Sequence, residues 1–220
     1  MHRHTVNTAL ALAGTLLAVL AGATQSNELH EALKRKPDME HGRVLYETCA
    51  ACHQPDGAGV ADGHIPVIAG QHYEVVITQL VDFRRSERVD LRMNAFAARH
   101  HLEDSQDIAD VAAYISSMPT QQTNEAGTGQ FTVLGAQVYK RACVTCHGAD
   151  GEGNSQLRQP RLAGQHYRYL VRQVDMMIRG TRSNMSWDHS ILLRGLTEEE
   201  VTGVADYLAR MKPAADSPAN

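Results

Sequence analysis

All four cysteines of the chain fall in two pentapeptides, Cys49-Ala-Ala-Cys52-His53 and Cys143-Val-Thr-Cys146-His147, which repeat at a spacing of 94 positions. Two thiols held three apart, followed at once by a histidine, suit covalent heme attachment. The thiols form thioethers with the porphyrin vinyls and the imidazole takes the iron. A bare pair of cysteines at this spacing would also suit a redox disulfide or half of a zinc site. A zinc ribbon must fold two halves onto one metal, and a disulfide exchanger needs a single motif beside a strand-rich fold. Neither accounts for a histidine in the same place twice, so the motifs read as two hemes c.

With His53 and His147 on one face of each iron, the opposite face needs a ligand. A thioether there raises the potential and closes the iron to substrates. Of eight methionines, Met176 and Met177 fall inside a helix, Met118 and Met211 finish helices, Met39 precedes one and Met1 begins the chain. Met93 and Met185 remain. Each is expected in an irregular stretch between the second and last helices of its half, where a loop can bring sulfur to iron. His64, His100 and His101 are the rivals in the first half, and a bis-histidine first heme would have a much lower potential. No spare cysteine exists and neither methionine loop carries a lysine, so catalysis at heme finds no obvious ligand set and no catalytic residue is assigned.

The elements that must hold these residues are themselves duplicated. Gly42-x-x-Leu45-Tyr46 leads into the first motif and Gly135-x-x-Val138-Tyr139 into the second. Each reads as a helix carrying the cysteines at its end, its glycine admitting a crossing helix and its aromatic filling the contact. The first repeat has one residue fewer between its tyrosine and first cysteine. After the histidines come Asp56-Gly57-Ala58-Gly59 and Asp150-Gly151-Glu152-Gly153, which do not follow a strand and so are not nucleotide loops; they are expected to make room beside a porphyrin. Second helices are expected over 71–85 and 165–180, opened by Gln71-His72-Tyr73 and Gln165-His166-Tyr167. His72 and His166 read as packing or hydrogen-bonding residues, and Gln71, Gln165, Arg88 and Arg182 as groups that could meet propionates. The last helices fall at 105–117 and 198–211, with Thr197 and Glu200 as a capping box. Residues 27–38 suggest a short surface helix.

The chain starts Met1-His2-Arg3-His4, runs apolar from Ala9 to Ala23 and offers Ala21-Gly22-Ala23 for cleavage, which reads as a signal peptide over 1–23, with an uncleaved anchor as the alternative. Nothing later is apolar enough to span a bilayer. Export fits heme attachment in an oxidising compartment, so a periplasmic protein is expected. Cleavage after Ala23 leaves 220 minus 23, or 197 residues. The repeat divides them into domains at 24–118 and 131–212, joined by a polar linker at 119–130 and followed by a tail at 213–220 expected to be disordered. Domains this small bury little apolar area, and an enclosed heme supplies the missing core. The net charge of −4 argues against nucleic acid. Residues 24–126 carry 9 Lys/Arg against 16 Asp/Glu and residues 127–220 carry 11 against 9, a dipole that can orient a redox partner.

The duplicated Gly-x-x-x-Tyr, CxxCH, Asp-Gly-x-Gly, Ala-Gly-Gln, methionine loop and terminal Ala-x-Tyr pattern, spanning Met39 to Met211, resembles the cytochrome c4 family. The resemblance implies an all-α protein of two tandem class I cytochrome c domains, His/Met ligation of both irons, and electron delivery from a membrane quinol-oxidising complex to a terminal oxidase. Such a carrier performs no bond chemistry. A heme subunit of one dehydrogenase, oxidising sulfur compounds or alcohols, is the second reading, and a heme enzyme such as a peroxidase or thiosulfate dehydrogenase is the third. The partners expected are redox proteins, reached at the membrane through those proteins unless the N-terminal segment stays attached.

Overall fold

The computed structural model of the chain describes residues 28–120 and 124–213. The expected signal peptide, residues 121–123 of the expected linker and the tail from 214 lie outside them. Among the described residues there is no strand, only one isolated bridge between Asn154 and Gln159, and no helix long and apolar enough to cross a membrane. The described residues hold ten α-helices, arranged as two tandem helical domains.

In the first domain α1 covers 28–34, followed by α2 (Met39–His53), α3 (Tyr73–Arg84), α4 (Leu91–Phe96) and α5 (Ser105–Ser117). Three of these begin on an aspartate, Asp38, Asp90 and Asp104, whose carboxylate accepts the first free backbone N–H groups. In the second domain α6 (Thr132–Val138) passes through a π-helical turn (Tyr139–Cys143) into α7 (Val144–His147), then α8 (Tyr167–Ile178), α9 (Trp187–Arg194) and α10 (Glu198–Arg210). The capping box expected at Thr197 and Glu200 forms in full.

The π-helical turn accounts for the unequal repeats. Tyr46 and Cys49 lie on one continuous helix, whereas the extra residue between Tyr139 and Cys143 widens a single turn. A π-bulge absorbs an inserted residue without turning everything beyond it to a new face. The tyrosine therefore stays in the core and the thiols keep their place.

Both domains close on a crossing between the helix that carries the cysteines and the last helix. A Cβ on Gly42 would collide with the backbone carbonyl of Asp110 and lie 3.1 Å from the Tyr114 Cβ. A Cβ on Gly135 would collide with the carbonyl of Gly203. Tyr46 meets Tyr114 at 5.4 Å between ring centres, and Tyr139 meets Tyr207 at 5.7 Å, as tilted pairs. Around these pairs lie Ile77, Val81, Ile108 and Val111 in the first core and Leu170, Val204 and Leu208 in the second.

The segment expected as a surface helix is more than that. Ala32 of α1 is fully buried, Leu29 and Leu33 pack on the first core, and Glu28 is paired with Arg84 at 2.5 Å and Arg99 at 2.9 Å. The same Arg84 donates to the carbonyls of Ala97 and Leu102, so α1 is tied to the stretch that follows α4.

Candidate functional site

His53 ends α2 and His147 ends α7, both buried. The His53 Nδ1 lies 3.1 Å from the Pro66 carbonyl and the His147 Nδ1 lies 3.0 Å from the Pro160 carbonyl. A carbonyl only accepts, so in each ring Nδ1 carries the hydrogen and Nε2 presents a lone pair, the tautomer a metal requires. Burial lowers the pKa of both rings, reinforced at His53 by the charge of Arg92, and so favours the neutral form.

The glycine turns make this possible. Gly57, Gly59, Gly151 and Gly153 all have positive φ, and Gly59 and Gly153 donate to the carbonyls of His53 and His147, each at 2.9 Å. A side chain on Gly59 would strike the backbone at Ile65 and Pro66, and one on Gly153 would strike Gln159 and Pro160. The space expected to face a porphyrin is therefore taken up by the segment that brings the proline carbonyl to the histidine.

The cysteines do not form an exchanging pair. No disulfide joins them. Burial pushes the thiols of Cys49 and Cys143 up to about 11, the reverse of the depressed value that activates an exchanging thiol. Among the described residues no group of three His, Cys, Asp or Glu side chains gathers to hold a bare metal ion, which disfavours the zinc reading. One neutral imidazole with two thiols on the same helical end suits a metal that brings its own equatorial donors. In the first domain the Tyr73 hydroxyl and the Arg85 Nε and Nη2 are buried without a partner, and a group bearing carboxylates would satisfy them. The residues present fit heme.

On the opposite side the two halves differ. Met93 lies in α4, three residues after the cap Asp90, rather than in an irregular loop, because Asp90 accepts from the backbone of Arg92 and Met93 and starts a turn there. It packs on the first core together with Cys49 and Ala50. Its rivals His64, His100 and His101 are exposed, with His101 stacked on Phe96 at 5.0 Å and against His100 at 4.3 Å. Met185 does lie in an irregular stretch, two residues before α9, and is partly buried. The ring standing near His147 belongs to His189, at 6.3 Å between ring centres, a residue the sequence reading did not single out. The signal available was position relative to the cap: Asp90 to Met93 and Ser186 to His189 are both three residues.

The remaining repeated residues of the two halves meet one another across the domain boundary. Gln165 accepts from the Val67 N–H at 2.9 Å and donates to its carbonyl at 2.8 Å; Gln71 treats Arg161 the same way at 2.9 and 3.0 Å. His72 Nε2 lies 2.6 Å from the Glu152 carbonyl and His166 Nε2 lies 2.9 Å from that of Ala58. These contacts exchange under a shift of 94 positions, so the halves are related by a pseudo-twofold. Arg88 and Arg182 meet Gln79 and Gln173 near the same axis, and Arg88 also meets Tyr169. Burial, with repulsion from Arg88, brings Arg182 down to about 10. The hydrogen-bonding role expected for His72 and His166 is thus observed. Gln71, Gln165, Arg88 and Arg182 find protein partners across the boundary.

The cytochrome c family model matches twice, over residues 39–119 and 132–212. The chain belongs to the cytochrome c family. It is 32% identical over 173 residues to cytochrome c4 of Thiocapsa roseopersicina, covering 73% of this chain and 85% of that one. It is 34% identical over 173 residues to a thiosulfate dehydrogenase electron acceptor of Stutzerimonas stutzeri strain A1501, covering 74% and 78%. The crystal structure of reduced recombinant cytochrome c4 from Pseudomonas stutzeri superposes with a TM-score of 0.70 at 25% identity, covering 80% of this chain and all of that one. The protein is a diheme cytochrome c, similar to the cytochromes c4, with two covalently bound hemes c and an electron-transfer role rather than an enzymatic one.

Proposed function

We propose that the protein is a periplasmic carrier, exported by the segment 1–23, that moves electrons one at a time between respiratory complexes, from a quinol-oxidising complex to a terminal oxidase. Its heme domains are 24–118 and 131–212. The observation that carries this reading is the pair of equivalent sites, His53 on the Pro66 carbonyl and His147 on the Pro160 carbonyl, locked to each other across one interface.

When bound, heme supplies a one-electron ferric/ferrous couple at each site. Cys49, Cys52, Cys143 and Cys146 hold the groups covalently. His53 and His147 would hold the metal through Nε2, while the proline carbonyls at Nδ1 fix the ring orientation and raise the basicity of each imidazole. Met93 would supply the other ligand of the first site, supported by its packing against the same core cluster as Cys49. For the second site Met185 is the residue expected from the sequence and His189 the one nearest in space. The buried Tyr73 hydroxyl and the Arg85 Nε and Nη2 donors are suited to propionate carboxylates.

A second reading is supported by a relative named as a thiosulfate dehydrogenase electron acceptor. On that reading the donor is a sulfur-compound dehydrogenase. Stopped-flow reduction of the holoprotein by a quinol-oxidising complex and by a thiosulfate dehydrogenase, followed by oxidation with a terminal oxidase, separates the two. Rapid reduction by the dehydrogenase alone would overturn the respiratory assignment.

A further inference from the structure

We infer that the second heme iron is held between two histidines, His147 and His189, and not between His147 and Met185. The inference rests on the reading that Cys143, Cys146 and His147 bind that heme.

Three independent observations converge on His189. Its ring centre lies 6.3 Å from that of His147. Two imidazoles bound to opposite faces of one metal at about 2 Å from each nitrogen place their ring centres roughly 6 Å apart. The separation thus accommodates a metal between the rings. Second, His189 occupies in α9 the place that Met93 occupies in α4. Each is three residues beyond a cap, Ser186 or Asp90, whose side chain accepts from the N–H of that very residue. The two helices thus carry Met93 and His189 at the same position relative to the cap, and the residue type differs. Third, Met93 packs on the first core with Cys49, whereas Met185 is absent from the described residues that pack with Cys143 on the second. Met185 precedes the cap, in a bend where its N–H is bonded to the Ser183 carbonyl.

A thioether raises the potential of heme iron relative to an imidazole. Electrons would therefore settle on the half holding His53 and Met93, and the half holding His147 and His189 becomes the point of entry. The two halves are alike in fold and unlike in affinity for the electron.

The test uses the full holoprotein. Heme content is determined first by mass and by pyridine hemochrome, and fewer than two hemes would overturn the diheme reading itself, whatever the ligands. The ferric protein is then scanned in the far red for the methionine-to-iron charge-transfer band. We expect the band of one heme out of two, unchanged in Met185→Leu, lost in Met93→Leu, and about doubled in His189→Met, with the lower of the two potentials rising in that last variant. A band worth two hemes in the unaltered protein, or one halved by Met185→Leu, would overturn the inference. Should His189→Met fail to load heme, the unaltered protein and Met185→Leu decide the question by themselves.

Discussion

Gln165 in the second domain holds both backbone groups of Val67 in the first, and Val67 is the residue after Pro66, whose carbonyl orients His53. Gln71 and Arg161 repeat the relation on the other side, next to the carbonyl of Pro160 that orients His147. The carbonyl that orients each of these histidines is thus steadied by a residue of the opposite domain.

Gln165→Ala should disturb the site it does not belong to. It frees the Val67 N–H and carbonyl in a part-buried position, where an unmade hydrogen bond costs about 1–3 kcal/mol. Stability measured by denaturant titration should fall by roughly 2 kcal/mol. In a redox titration the potential assigned to the His53 site should move more than that of the His147 site, with Gln71→Ala giving the reverse.

Gly42→Ala and Gly135→Ala should each loosen a helix crossing, because the added methyl meets backbone, which cannot turn aside as a side chain does. Overpacking of this kind costs about 1–3 kcal/mol or more. Thermal unfolding should report a lower midpoint for both, with each domain affected by its own glycine.

Deleting Ala142 should be tolerated. The first repeat holds its tyrosine and thiols in the core with one residue fewer on an unbroken helix, so the deletion converts the π-helical turn into an ordinary one. Mass spectrometry of the purified holoprotein should still find two hemes. Deleting Thr145 instead changes the spacing of the two thiols and should leave the second heme unattached.

Glu28→Ala should strip Arg84 of its carboxylate while its side chain stays 7% exposed. Removing one partner of a buried ion pair costs about 3–5 kcal/mol. Because Arg84 also holds the carbonyls of Ala97 and Leu102, the methionine-to-iron band should weaken before global unfolding as denaturant is added.

His41 predicts a small pH dependence. Its hydrogen bond to the buried Asp110 at 2.8 Å raises its pKa, so the bond stabilises the fold fully below the ordinary histidine value and less as pH rises through the raised one. The side chain is 46% exposed, which limits the effect to under about 1 kcal/mol. Denaturation midpoints should fall as pH rises above the ordinary histidine value in the unaltered protein, and less so in His41→Ala.

The amino-acid sequence by itself determined the chemistry of attachment and the duplication of the fold. Cys49, Cys52, His53 and their copies need only neighbours within one helical turn, and the helices that carry them are set by local caps and periodicity, so these are legible in a linear string. The glycine crossings were legible for the same reason. Only the tertiary structure decided what His53 and His147 lean on, since the proline carbonyls lie 13 residues away. It also decided that Gln71, Gln165, His72 and His166 face the other domain, because contacts made 80 to 108 residues apart leave no local pattern. The sixth ligands fall between these cases. Met93 and Met185 look alike as letters in a loop, yet one lies inside a capped helix and the other before it. Placing the cap is what sets which side chain stands near His147, and Ser186, as the cap that accepts from the His189 N–H, begins the helix that brings that ring within 6.3 Å.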